Sequence, residues 1–338
     1  MRGRDVQEWI LIGTLESSEI SPNSSSVHKS EPKPIKIVGQ RNIYSVAFLG
    51  DGKHIVSGGD EGKIRRWQAE DGKEVGTPMD AGSAVLNLAV SRDGKRIVSG
   101  TVSSELTVWN AQNHEKVTGW KGHSDWVRGV DISPDGTRIA TGSDDSTACV
   151  WSLSSGQRLL GPWEHNSDVV AVKFSPDGRL IVTATLQHSI RVYDSQDGLL
   201  LIDVPIEVAS FHNQSLVWAG NSKNLFALSL DGKINYVDVS TGTILSSWSI
   251  HSSDQPGCIA LASNGTFIAA SADSSVLFWD TTTHKRIGSI RVNHTNLVMT
   301  MAISANYDLV TGGGKAITLQ NICEGLPSSY YENVSVFA

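Results

Sequence analysis

Short runs of β-branched and apolar residues return along the chain at a period close to 42 residues, each closing at the same point. The closing positions are Trp67, Trp109, Trp151, Tyr193, Val237, Trp279 and Gln320, separated by 42, 42, 42, 44, 42 and 41 residues. The first six are aromatic or apolar, and the last has lost that character. A fixed period of this size marks a repeat architecture, in which each unit buries its apolar face against the next.

The third unit predicts its strands most clearly. Val127–Ile132 alternates as a strand, and Ser133-Pro134-Asp135-Gly136 is a turn with visible chemistry. Proline presets φ, aspartate bonds its own backbone and glycine accepts positive φ. A second strand follows over 137–143, a turn at Asp144-Asp145-Ser146, a third strand over 147–152, and a fourth over 158–163 after the turn ending at Gly156. Four strands per unit predict a radial all-β fold of propeller blades. The first turn recurs as Asp51-Gly52, Asp93-Gly94, Asp177-Gly178 and, altered, Asn264-Gly265; the later turn recurs as Gly72, Gly198 and Gly242. Because these acids keep phase with the repeat, they read as turn formers and not as general acids or metal ligands.

Several phased dipeptides resemble the WD-repeat β-propellers. Gly122-His123 and Val150-Trp151 match that family's Gly-His and Trp-Asp signatures, with Ser152 at the aspartate's place; Val192-Tyr193-Asp194 and Phe278-Trp279-Asp280 match as well. The resemblance covers roughly residues 34–323 and implies an all-β, seven-bladed propeller of four-stranded blades with first strands lining a central channel. It implies closure by an N-terminal strand, Pro34–Val38, pairing with the third strand of blade seven over 316–322. It also implies a buried network within a blade, carried over to repeat three as His123, Thr141, Asp145 and Trp151. Such a set is chemically coherent, since a buried imidazole, carboxylate and indole N–H each need partners. Although it contains an acid, a histidine and a hydroxyl, it belongs to the blade interior, where no substrate reaches a nucleophile.

The other repeats are degenerate. Repeat one keeps Ser57 and Trp67 with Gln40 and Glu61 at the His and Asp places, and repeat two keeps Ser99 and Trp109 with Ala81 and Ser103 there. Repeat four has His165, Thr183, Gln187 and Tyr193; repeat five lacks the histidine but retains Asp231; repeat six has His251, Asp273 and Trp279 with Ala269; repeat seven has His294 and Thr311 before Gly312-Gly313-Gly314-Lys315. Blade three is therefore expected to be the most rigid, and blades five and seven the softest.

Composition narrows the rest. With 39% hydrophobic and 19% charged residues the 338-residue chain is globular, and its net charge of −7 argues against a general nucleic-acid or acidic-membrane surface. Cys149, Cys258 and Cys323 are scattered and odd in number, which fits a reducing compartment, the cytoplasm or nucleus. The N-terminal apolar run Trp9–Leu15 is minimal for a signal peptide, with Asp5 and Glu8 just ahead of it. The sequons at Asn23, Asn213, Asn264, Asn293 and Asn333 are what Ser/Thr-rich turns generate by chance. No stretch approaches the roughly 20 apolar residues of a membrane span. Residues 16–33 are polar and rich in Ser and Pro, so the chain divides into a flexible segment 1–33, a propeller 34–323 and a tail 324–338.

No nucleophile elbow, H-E-x-x-H or phosphate loop is present, and no His/Cys/carboxylate group has metal-ligand spacing. The expectation is a non-catalytic scaffold for protein or peptide partners, with no cofactor, no metal, no membrane and no nucleic acid. Membership in a larger complex fits such a platform. The resemblance places the docking face where first-strand entrances and second turns meet. Carried over, it is built by Asn42, Tyr44 and Asp60 of blade one, Trp126, Arg128 and Asp144 of blade three, Asp168 of blade four, and His212 and Gln214 of blade five. Trp, Tyr and Arg are hot-spot residue types, and the acids favour a basic peptide. The competing reading, a hydrolase or lactonase-like enzyme at the channel mouth, requires polar groups with shifted pKa values converging on the axis.

Overall fold

The computed structural model describes residues 34–38, 41–186, 189–208, 214–250, 257–272, 274–292, 294 and 297–331. The expected segment 1–33 and the positions Gln40, Gln187, His212, His251 and Asp273 lie outside them. Contacts divide the chain into Met1–Pro32 and Lys33–Ala338, and the second unit is a seven-bladed β-propeller. Its seven sheets each hold four antiparallel strands. Blade three, for example, runs Val127–Ile132, Arg138–Ser143, Thr147–Ser152 and Arg158–Glu164 from the channel outward.

Position within a blade sets the hydrophobic pattern. The first three strands are covered on both faces by neighbouring blades, so Val85–Val90 and Thr147–Ser152 read as almost continuous buried runs. Outer strands have one wet face, and Lys116–Lys121 alternates exposed and half-buried positions. All seven closing residues, from Trp67 to Gln320, lie in third strands and are buried.

The outer strand of blade seven is the N-terminal Ile35–Val38, which pairs antiparallel with Ala316–Asn321 in the register Ile35↔Leu319, Ile37↔Ile317. Blade seven also packs on blade one, with Ile43, Val46 and Ile55 in one apolar cluster with Val310, Ile317 and Leu319. Beyond the last strand the chain stays on the ring. Leu326 is buried with the blade-six and blade-seven core, and Tyr330 Oη donates to Asp280 Oδ2 at 2.6 Å.

Two devices join neighbouring blades. Side chains of inner strands accept backbone N–H groups from the adjacent blade: Ser45 Oγ from Leu88 (3.0 Å), Asn87 Oδ1 from Val130 (3.1 Å) and Thr300 Oγ1 from Val46 (3.1 Å). On the outside, the turn after each third strand lies against the preceding blade's outer strand. Gly156, at φ 70°, leaves no room for a Cβ, which would stand 2.8 Å from the Trp120 ring. In blade six the same position is His284, at φ 56°, whose ring stacks on Trp248 with centroids 4.5 Å apart.

The ring is uneven. Inner strands have six residues in blades one to four, but only Leu216–Trp218, Ile259–Leu261 and Thr300–Ile303 in blades five to seven. Register corrects one assignment. Ile268 faces Trp279 as Ile139 faces Trp151, so the blade-six counterpart of Thr141 is Ala270 and not Ala269. Two successive small residues hide that offset in the sequence.

Candidate interaction surface

The entrance end of the ring owes its side chains to a repeated irregularity. In blades one to four the pairing of the first two strands slips after the first residue, at Ile43/Ser45, Val85/Asn87, Val127/Gly129 and Val169/Ala171. The residues inside these bulges are Tyr44, Leu86, Arg128 and Val170. A bulge re-aims a side chain and bends its strand, so Tyr44 and Arg128 stand at the channel mouth for a backbone reason.

On blade three, the Arg128 guanidinium clamps the Asp144 carboxylate through Nε and Nη2, the latter bond 2.8 Å long. Its Cζ lies 5.1 Å from the centroid of the Trp126 ring. Trp126 is 42% exposed, the only tryptophan among the exposed large hydrophobic residues described. A fork bonded to a carboxylate and covered by an indole face is stiff, which lowers the entropy lost on binding. Beside it, partial burial raises the Asp168 carboxyl above its usual range; Asp144 and Asp125 push it the same way, and Arg128 opposes them. Arg128 thus serves both Asp144 and Asp168, and with Asp125 nearby the patch carries net negative charge.

On blade one, Asn42 Nδ2 donates to Asp60 Oδ2 at 2.8 Å. Burial first, and then Asp60, raise the Tyr44 phenol. Asn42 and Tyr44 line an open cavity of about 450 Å³ with Leu297, Met299 and Gly314 of blade seven. The sequence-predicted face therefore comprises two clusters, Asn42–Tyr44–Asp60 and Trp126–Arg128–Asp144–Asp168. Gln214 belongs to neither. It is half-buried, its Oε1 accepts the Met301 N–H at 2.7 Å and its carbonyl accepts the Ile259 N–H at 2.9 Å, tying blades five, six and seven. His212 lies outside the described residues. Leu297 and Met299 were not singled out in the sequence; their only signal was phase, since they stand where Asn42 and Tyr44 stand in blade one.

The interior network of blade three is complete. His123 Nδ1 meets Asp145 Oδ2 at 2.9 Å, and Nε2 meets Thr141 Oγ1 at 2.7 Å. Thr141 Oγ1 also accepts the Trp151 indole N–H at 2.8 Å. The carboxylate only accepts, so the neutral imidazole carries its proton on Nδ1 and the Thr141 hydroxyl donates to Nε2. Burial works against the charge of Asp145, yet bonds from His123, Thr147 and the Ser124 N–H outweigh it and hold the carboxyl well below its ordinary range. Thr141 is fully buried, so its hydroxyl is a structural hub closed to substrate.

Elsewhere the network survives in parts. Trp67 and Trp109 donate to Ser57 (2.8 Å) and Ser99 (2.9 Å). In blade four His165 Nδ1 donates to the Trp163 carbonyl (2.9 Å) while Nε2 accepts from Thr183 (2.9 Å), and Tyr193 Oη lies 3.3 Å away. Burial pushes His165 down to about 4. In blade seven His294 Nε2 meets Thr311 Oγ1 at 2.7 Å.

Among the described residues no group of three or more His, Cys, Asp or Glu side chains could hold a metal ion. Nor, among the described residues, is any helix long and apolar enough to cross a membrane. The profile of the family described as WD domain, G-beta repeat, matches residues 32–68, 114–152, 158–194 and 242–280. No match was found among curated proteins.

Proposed function

We propose that this chain, a seven-bladed β-propeller built on WD repeats, is a non-catalytic docking platform that binds a protein or peptide partner on the entrance end of the ring. WD-repeat propellers are typically interaction scaffolds, and the fold and the matched repeats support that general reading. The specific reading rests on one observation: a half-exposed Trp126 lies over an Arg128 already locked to Asp144, beside the under-compensated Asp168. A preorganised aromatic anchor with surplus carboxylates suits a segment that carries a basic residue. The blade-one cavity then receives a neighbouring apolar side chain against Tyr44, Leu297 and Met299.

The experiment is affinity capture with purified full-length chain, repeated with Trp126→Ala and Asp168→Asn. Both variants change exposed or half-exposed side chains and leave the blade interior intact. Partners held on this face are recovered at least about tenfold less well by Trp126→Ala, the loss expected for a hot-spot aromatic. Equal recovery by wild type and both variants would remove the blade-three cluster from the binding surface.

A further inference from the structure

Blade five lacks the Thr and Trp of the interior network, and an open pocket lies beside its second turn. Val237 faces Leu225 as Trp151 faces Ile139, so Ala227 stands where blade three has Thr141. Asp231 stands at the place of Asp145. Glu207, fourteen residues after Tyr193, stands where His123 and His165 follow Trp109 and Trp151. The backbone at the second turn of blade five differs from that of its neighbours. In blades one, three and four the second-turn amides of Asp60, Asp144 and Leu186 bond the carbonyls of Asn42, Trp126 and Asp168. In blade five the corresponding amide, Leu230, bonds the carbonyl of Glu207 at 2.9 Å. The chain is drawn onto the turn earlier in the loop, and the Glu207 side chain is exposed.

The pocket is about 560 Å³, lined among others by Ile206, Glu207, Leu230, Asp231, Asn235 and Ile244. Its floor is ordered: Asn235 Nδ2 donates to Ser229 Oγ at 3.0 Å, and Ser229 Oγ donates to Asp231 Oδ1 at 2.6 Å, with both residues buried. Asp231 is 55% exposed, against 11% for Asp145. Its ion pair is with Lys233, so Glu207, Asp231 and Lys233 leave the lining with one surplus negative charge. Its edge is aliphatic, Leu230 and Ile244 being 49% and 45% exposed, and the exposed Leu245 follows on the same outer strand.

We infer that the blade-five cavity is a second anchoring site, which takes an arginine side chain of a partner protein flanked by aliphatic residues. The guanidinium supplies the positive charge that Lys233 alone leaves short. Its planar fork of five donors can serve both carboxylates, which a compact ammonium cannot. The volume is within the range of side-chain and small-ligand pockets, and the aliphatic rim covers the arginine's flanks. This site shares no residue with the blade-three cluster and does not depend on it.

The probe is a fluorescently labelled Gly-Leu-Arg-Leu-Gly peptide titrated with full-length protein, with the citrulline peptide as its uncharged isostere. Wild type binds the arginine peptide about 10- to 100-fold more tightly than the citrulline one, the difference expected for charge-assisted hydrogen bonds. Glu207→Gln weakens binding about tenfold, while Trp126→Ala leaves it unchanged. Leu230→Ser, a surface change that leaves the fold intact, weakens binding by removing part of the aliphatic rim. No saturable binding up to millimolar peptide, equal binding of both peptides, or wild-type affinity in Leu230→Ser overturns the inference.

Discussion

Replacing Thr141 by valine removes one hydroxyl and keeps the shape of the side chain. The hydroxyl donates to His123 Nε2 at 2.7 Å and accepts the Trp151 indole N–H at 2.8 Å, with all three residues buried. The substitution leaves two buried polar groups without this partner, and each costs about 1–3 kcal/mol. The expected loss is therefore about 2–6 kcal/mol. Ser99→Ala strands the Trp109 indole, so it should cost about 1–3 kcal/mol. The assay is urea unfolding of both variants beside wild type, followed by tryptophan fluorescence and read as midpoint shifts at unchanged slope. Thr141→Val should cost about twice what Ser99→Ala costs. A loss no larger than that would refute the view that Thr141 is the hub of a three-way network.

The buried His165 makes stability depend on pH. Its folded value of about 4 lies below the roughly 6.5 of an unfolded histidine, so the unfolded chain binds the extra proton between those values. Its contribution is complete above pH ~6.5 and falls by about 3 kcal/mol as pH drops to ~4, and His165→Gln should flatten that slope in unfolding titrations. Asp145, whose folded value is depressed, adds a loss only below about pH 4, where unfolded aspartate takes up its proton. Gly156 and Gly136 share a positive φ, but only at Gly156 does an added Cβ meet a ring. Gly156→Ala should then cost about 2–5 kcal/mol in urea unfolding and Gly136→Ala about 1–2 kcal/mol; equal losses would remove the inter-blade contact from the account. Deleting residues 34–40 removes the outer strand of blade seven with Ile37, worth about 2–5 kcal/mol, and should lower the melting temperature by several degrees; an unchanged value would show that the ring does not need this strand.

What the sequence discloses here is what is locally encoded. The Asp-Gly turns and the closing aromatics depend on neighbours a few residues away, so their period reveals seven blades and the strand order within them. The His123 network is legible because its four residue types survive together in one repeat. Position within the ring is harder to read. The bulges that aim Tyr44 and Arg128 have no composition of their own, since Tyr44, Leu86, Arg128 and Val170 share only phase. Gln214 has the polarity of a surface residue, yet its side chain spans to the Met301 amide, a partner 87 residues away. The missing histidine of repeat five is visible in the sequence. The pocket beside its second turn goes with the carbonyl that the Leu230 amide selects, and that choice has no signal in composition.

The most direct measurement is hydrogen exchange of the full-length protein, alone and bound to a captured partner. The account predicts protection concentrated at Asp125–Arg128, around Asp144 and at Asp168, on the entrance end of blades three and four. Protection confined to the opposite end, at the turns Asp51-Gly52, Asp93-Gly94, Asp135-Gly136 and Asp177-Gly178, would contradict it.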